Sequence, residues 1–425
     1  MRSKPAMLGL VVAAVSAVPT SVMAQGIFDT SSSDVRRLNS ASSQAVRMPG
    51  SEGDLIQRTR DQFEGITPAS ARLPGLTHLG QIELRPHLEY SAIYGTDIPN
   101  GTNSVRPSSV IQSVEPGLLI EFGQHLTIDY TATERIYSSP RLQNNLGHHA
   151  ELQGASATPS WLLTLLQSYD EHTLPLAETG TNTASEMYHT AISATRQLNS
   201  DLTLSISGDQ RIRDASAFAS SRVWSGLVNL NYSFWSRWSA GIGGGGGMVK
   251  VPGGIGSTFE TANFHLGYKV TEVVHVSASV GFEERQFDTA ASPSRFSPTF
   301  NVSGVWQATP ATAVSLIASK SVGESFIRNE VLDLSEVGLQ LNHRLPYQLE
   351  LELNGVYRNV DFISASTATS AGRGDDSFSA RIGLSRPFLQ RGRVEIFYHY
   401  LSNKSTLAVF AVNSEQFGLK LSYKY

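Results

Sequence analysis

Three glycines at positions 241, 243 and 246 spell G-x-G-x-x-G, a spacing with which a chain can wrap a diphosphate. That chemistry needs a helix starting at the glycines, so that unpaired backbone N–H groups face the anion. The glycines here lie in a strand-like stretch between Trp238 and Met248, and no Gly-Lys-Ser/Thr follows, so nucleotide binding is disfavoured. They point instead to a sharply bent strand, or to close packing by the N-terminal segment or a substrate chain. The pair His148-His149 offers imidazoles to a metal. Neighbours on an extended chain point to opposite sides and do not chelate together, so the pair reads as a solvated external loop. His87, His265, His275 and His399 are scattered over distant polar positions, and no local motif singles out a nucleophile beside them. No catalytic residue, metal site or cofactor is expected.

The charged residues are more informative as a set. Sorted by alternation, one face carries Arg85, Arg211, Arg213, Lys269, Arg285, Arg344, Arg358, Arg381 and Arg393. The same face carries Glu283, Glu336, Glu350, Glu352 and Glu395, with Lys420 and Lys424 at the end of the chain. Both signs mixed with Ser, Thr and Asn describe a hydrated lumen; a single sign would have indicated a steep ion filter. The competing reading is that these pairs only brace a blocked interior.

The elements that carry these residues read as strands. Ile82, Leu84, Leu88, Tyr90, Ala92 and Tyr94 alternate with Glu83, Arg85, His87, Glu89 and Ser91. The same period of two recurs at Leu202 to Ser207, Val228 to Phe234, Val274 to Glu283 and Val337 to Asn342. Short turns at 123–124, 236–237, 271–272 and 346–347 alternate with longer polar loops at 96–109, 138–147, 175–185, 289–297 and 363–376. Short turns at one end and long loops at the other are the asymmetry of an outer-membrane barrel. The breaks predict an all-β, antiparallel up-and-down transmembrane β-barrel of about eighteen strands over residues 81–425. Sixteen is the alternative, because residues 150–156 and 313–322 alternate poorly. Tyr and Trp residues near strand ends, from Tyr90, Tyr94, Tyr130 and Tyr137 to Trp306, Tyr357 and Tyr398, suggest interfacial girdles.

Both ends of the chain fit that compartment. Arg2 and Lys4, an apolar run from Met7 to Val18 and the small residues before Gln25 predict a cleaved signal peptide over residues 1–24. Residues 25–80, rich in Ser, Arg, Pro and Gly, predict a flexible periplasmic segment or a plug. The final strand alternates Phe417, Leu419, Leu421, Tyr423 and Tyr425 with small or cationic residues. With Gln416 and Gly418 it resembles a C-terminal barrel-assembly signal, whose partner is the barrel-assembly machinery. Charged residues make up only 16% of the chain, low for a soluble domain of this size. The net charge of -4 gives no reason to expect nucleic acid, and the lack of cysteine rules out disulfides and thiolate metal sites.

The opening strand Leu84-Arg85-Pro86-His87-Leu88-Glu89-Tyr90-Ser91-Ala92-Ile93-Tyr94-Gly95-Thr96-Asp97 is proline-led and ends near Tyr and Asp. Together with the export signal, the hairpins and the last strand, it resembles a family of outer-membrane β-barrel porins often found beside capsule and exopolysaccharide genes in Gram-negative bacteria. The resemblance covers residues 80–425 and lends no catalytic residues. It implies passage or surface assembly of a polysaccharide or other polar cargo, with outer-membrane lipid around the barrel and periplasmic polysaccharide-export proteins as partners. A general diffusion porin for small polar solutes and an adhesive or structural barrel with a blocked lumen are the alternatives.

Overall fold

The computed structural model describes residues 78–79, 82–100, 106–123, 125–235, 237–271, 273–289, 292–365 and 372–424. The expected signal peptide (1–24), nearly all of the 25–80 segment and Tyr425 lie outside them. Within that segment, His78–Leu79 pair back onto Ile82 and Glu83.

Eighteen long strands follow. They are β1 (Ile82–Gly95), β2 (Ser109–Phe122), β3 (Leu126–Tyr137), β4 (Asn145–Ala157), β5 (Leu162–Leu176) and β6 (Thr181–Gln197). Next come β7 (Leu202–Ala215), β8 (Ser221–Phe234), β9 (Trp238–Lys250), β10 (Ser257–Thr271), β11 (Val274–Phe287) and β12 (Arg295–Thr309). The last are β13 (Thr312–Glu324), β14 (Glu330–Arg344), β15 (Glu350–Ser364), β16 (Arg373–Phe388), β17 (Gly392–Ser405) and β18 (Val412–Lys424). Each pairs antiparallel with the next, and β18 pairs with β1, with Lys420 opposite Ser91 and Leu421 opposite Tyr90. The sheet is therefore a closed barrel of eighteen strands, and the last strand is its closing stave. The weakly alternating stretches belong to β4 and β13. Small outward residues such as Ala150 and Gly154, and the inward Ile317, blur the polarity contrast there.

Alternation separates two environments. Ile242, Val280, Leu339 and Phe417 stand on the outer face with more than half of their surface exposed (62%, 54%, 52% and 60%). So large an apolar surface is stable only against lipid, and a closed barrel leaves no unpaired backbone edge within it. Among the described residues no helix is long and apolar enough to cross a membrane; the strands do so. At the short-turn end, Trp238 stacks on Tyr268 at 4.0 Å and on Phe234 at 6.3 Å, forming part of a girdle. Tyr137 departs from the girdle reading: it points inward and is buried in an apolar cluster.

The turns at the end carrying the chain termini fall where the sequence placed them, which makes that end periplasmic. One external loop differs from expectation. Residues 175–176 and 181–185 are strand, and only residues 177–180 link β5 to β6. Pro and Thr gave that stretch a loop-like composition, but Pro175 needs no ladder donor here because the strand has left the wall.

Candidate functional site: the lumen and the hairpin at its mouth

The inner face is built from charges held two residues apart on one strand or brought together from nearby strands. Arg85 pairs with Glu83 at 2.9 Å and with Glu121 at 3.3 Å. Arg211 Nε donates to Asp209, which also meets His189. Arg285 Nε donates to Glu283 at 2.8 Å. Spacing of i, i+2 puts both partners on the same face of a strand, so each strand brings its own counter-ion. Other pairs cross strands. Lys420 meets Glu89 across the closing seam, and Arg358 Nε donates to Glu336 at 2.8 Å. Arg393 meets Glu350 at 2.8 Å, while Arg381 lies between Glu395 (2.5 Å) and Glu352 (3.8 Å). Between the ions lie hydroxyl, amide and imidazole contacts: Ser277 with Ser303 at 2.7 Å, Thr164 with Ser193 at 2.6 Å, His87 with Asp129 at 3.0 Å, and His265 with the Asn231 amide oxygen.

All the residues sorted to the polar face share this side of the wall by register. Arg344 is separate, mostly exposed at the periplasmic rim with Glu350 at 3.8 Å. Lys269 lies at the periplasmic end of β10, opposite His275. Gln416 and Gly418 of the terminal strand face inward, whereas Leu421 and Tyr423 face outward. His148 and His149 are not in a loop. Both are on β4, on opposite faces: His148 Nδ1 contacts the Tyr130 hydroxyl outside at 2.9 Å, and His149 meets Asp170 inside at 2.6 Å. The physical argument against joint chelation therefore holds, while the loop assignment does not. Among the described residues no group of three or more His, Asp or Glu is placed to hold a metal.

The glycines of β9 have a packing reason. A Cβ at Gly241 would overlap the His265 ring, one at Gly243 the Asn229 amide, and one at Gly245 the carbonyl oxygen of Gly226. Neighbouring side chains converge over the inner side of β9, and His265 meets Asn231 there. Of the readings open in the sequence, close packing applies, and the packing segments are the adjacent strands.

The sequence did not single out the external mouth. There the inner face turns apolar: Ile93, Ile98, Ile111, Tyr137, Leu142, Phe397, Leu401 and Val412 form one buried cluster, with Ala177 packed against it. Leu174, Leu176, Ala215 and Phe326 form a second. Phe397 and Leu401 sit beside the outward Ile396 and Tyr400, and Ile93 and Ile111 beside Ala92 and Val110. These apolar doublets mark strands buried on both faces, and they were the available signal.

The tip of the β5–β6 hairpin joins the two clusters. The ladder between β4 and β5 stops at His148 opposite Glu171, and that between β6 and β7 at Ser185 opposite Ala215. Beyond those points the hairpin continues as residues 172–184 without a wall strand on either side, apart from one backbone bond from Ser216 to Ala184. Yet Leu174, Pro175, Leu176 and Thr183 are all buried, on both faces of the tip. A hairpin that leaves the wall and is buried on both faces lies inside the mouth. Five residues at about 3.4 Å each reach about 17 Å, close to the radius of about 18 Å expected for eighteen strands about 4.8 Å apart and tilted by about 40°.

At its end Glu178 accepts hydrogen bonds from the Ser325 hydroxyl (2.7 Å) and the Phe326 N–H (2.6 Å), both in the β13–β14 connection. From the start of β16, two strands beyond β14, Arg373 Nη1 donates to the Glu178 carbonyl at 2.7 Å and lies 3.6 Å over the Phe410 ring. Arg213 Nη2 donates to the Ser325 carbonyl at 2.6 Å and covers the Phe326 ring at 3.9 Å. Burial pushes the Glu178 carboxyl above its usual range, against the pull of Arg213, the two hydrogen bonds and Arg373. Glu178, Arg373 and Asp375 fall in the stretches 175–185 and 363–376, whose composition is that of external loops. The i, i+2 spacing of Arg373 and Asp375, shared with the lumen pairs, was the missed signal.

Residues 262–425 match the family model described as Putative beta-barrel porin 2, in keeping with the resemblance read from the sequence. No curated protein matches the chain. Among solved structures, OccAB4 of Acinetobacter baumannii is similar over 82% of this chain and 100% of that one, at 12% identity and a TM-score of 0.44. The outer membrane protein opdK from Pseudomonas aeruginosa is similar over 81% and 98%, at 13% identity and a TM-score of 0.43. None of these figures bears on cargo.

Proposed function

We propose that this porin-like outer-membrane barrel is a non-enzymatic channel that moves polar cargo along its charged inner face. One observation carries the reading: an inner wall of crossed ion pairs, hydroxyls and amides behind an outer wall of exposed apolar side chains. A wall whose cations and anions neutralise one another gives weak ion selectivity. The hydroxyls and amides left between the pairs suit hydrogen bonding to sugar hydroxyls, which favours a saccharide, including a polymer passed on by periplasmic export proteins. Small polar solutes are the second reading, favoured by the mixing of both charge signs throughout the wall.

Purified barrel in planar lipid bilayers tests the proposal. Discrete current steps with weak cation–anion preference are expected, and long oligosaccharides should interrupt them more than monosaccharides if the cargo is a polymer. Folded protein that yields no steps, even after residues 173–184 are replaced by a short turn, would refute a channel.

A further inference from the structure

We infer that the β5–β6 hairpin tip is a movable lid, latched over the external mouth by Glu178, and that its release sets when the barrel conducts. The inference rests on the reading of the lumen as a passage. A part of the wall would be zippered to its neighbours along its full length, as β15 is to β14 from Glu350 to Ser364. The tip instead has almost no ladder beyond Glu171 and Ser185, so it can swing without breaking the hydrogen bonds that close the barrel.

What holds it shut is local and polar at the end, apolar along the shaft. One oxygen of the Glu178 carboxyl group, Oε1, takes both the Ser325 hydroxyl and the Phe326 N–H, while the Glu178 carbonyl takes Arg373. Leu174 and Leu176 pack beside Phe326. The receiving surface is prepared for this contact. Arg213 fixes the Ser325 carbonyl, and the Ala219 N–H donates to the Phe326 carbonyl at 2.8 Å. The groups on the two sides thus form a contact between elements far apart in the barrel order, as a gate requires.

The β13–β14 hairpin has a matching irregularity. Its ladder to β12 stops at Phe300 opposite Lys320, although β12 begins at Arg295 and β13 runs to Glu324. Asp333 of β14 takes Arg295 of β12 at 2.9 Å and Lys320 of β13 at 3.1 Å, tying the seam from the side. The latch partner is thereby held in place while its own edge is loose enough to accept the lid.

The test is single-channel recording on the full barrel. Glu178→Ala removes both hydrogen bonds and should raise the open fraction about ten-fold or more. The chain has no cysteine, so Thr179→Cys with Val409→Cys places a unique thiol pair on the tip and on the loop it touches; the Val409 carbonyl lies 3.6 Å from where a Gly180 Cβ would stand. A short cleavable crosslink between them should abolish openings, and cleavage should restore them. Folding is checked by the shift between heated and unheated protein in detergent gels. Folded Glu178→Ala with an unchanged open fraction, or crosslinked protein that conducts as before, overturns the lid while leaving a conducting barrel. Silence of every form, including the 173–184 replacement, overturns the passage itself and the lid with it.

Discussion

Arg381 offers the sharpest test of the inner wall. Its guanidinium lies within 2.5 Å of Glu395 and 3.8 Å of Glu352, and 4.5 Å over the Phe397 ring. It therefore ties β15, β16 and β17 together and supports the floor of the apolar mouth cluster. Arg381→Met keeps the length of the side chain and removes the charge. The lost hydrogen bond to a charged partner is worth about 1.5–3 kcal/mol, and the contact with the Phe397 ring about 1 kcal/mol. Glu395 and Glu352 are left facing each other with little water, which adds about 1 kcal/mol or more. Only 9% of the Arg381 side chain is exposed, so solvent screening is slight on its side of the pair. The expected loss is about 4 kcal/mol, or roughly a thousandfold in the folding equilibrium.

The assay is urea unfolding and refolding in lipid vesicles, read by tryptophan fluorescence. Glu395→Gln should cost a similar amount, and the double variant should cost less than the sum by about 2 kcal/mol, because the two residues interact. If Arg381→Met falls within about 0.5 kcal/mol of the parent, or the two changes simply add, the lumen is too hydrated for its pairs to stabilise the wall. The reasoning about a structured charged lumen would then be wrong.

Three further outcomes follow from the same geometry. Gly245→Ala should greatly reduce the yield of folded barrel, measured by the heat-dependent gel shift, because the added Cβ would overlap the Gly226 carbonyl, whereas Gly355→Ala, with open space around it, should fold normally. Ile242→Arg, on the outer face of β9, should cost about 2–4 kcal/mol in vesicle refolding if that face lies near the middle of the bilayer. Channel closure should depend on pH. Burial raises the Glu178 carboxyl in the shut mouth above its value in an open, hydrated one, so the shut state binds the proton more tightly. Closure is then favoured fully at acid pH and weakens as pH rises through the raised value. Arg213, Arg373 and the carboxylates Glu324, Glu330 and Asp375 surround the site, but Glu178→Gln should remove this component of the pH response. An identical response in Glu178→Gln would assign it to those neighbours.

The sequence by itself determined the barrel. Period-two alternation is a local property: a residue's neighbours at i±2 share its face, so Leu419 and Lys420 declare opposite environments before any partner strand is known. The turn positions, a strand number of eighteen or sixteen and the closing role of the last strand follow from repeating that local reading along the chain; the register of the closed sheet decided for eighteen. The charged inner residues were legible for the same reason, although which charge meets which was not. Arg381 meets Glu395 because of cross-strand register, and no pattern within one strand encodes that.

Only the tertiary structure decided the mouth. Residues 175–185 have the composition of a loop, and Glu178 alone looks like any solvated carboxylate. Its role arises because the hairpin leaves the wall and brings Glu178 within hydrogen-bond distance of Ser325, almost 150 residues away (|i−j| = 147). Such a contact costs loop-closure entropy and is selected by the shape of the whole barrel. The chain therefore specified its wall strand by strand, while the hairpin contact across that wall's opening emerged only when distant strands were set around a common axis.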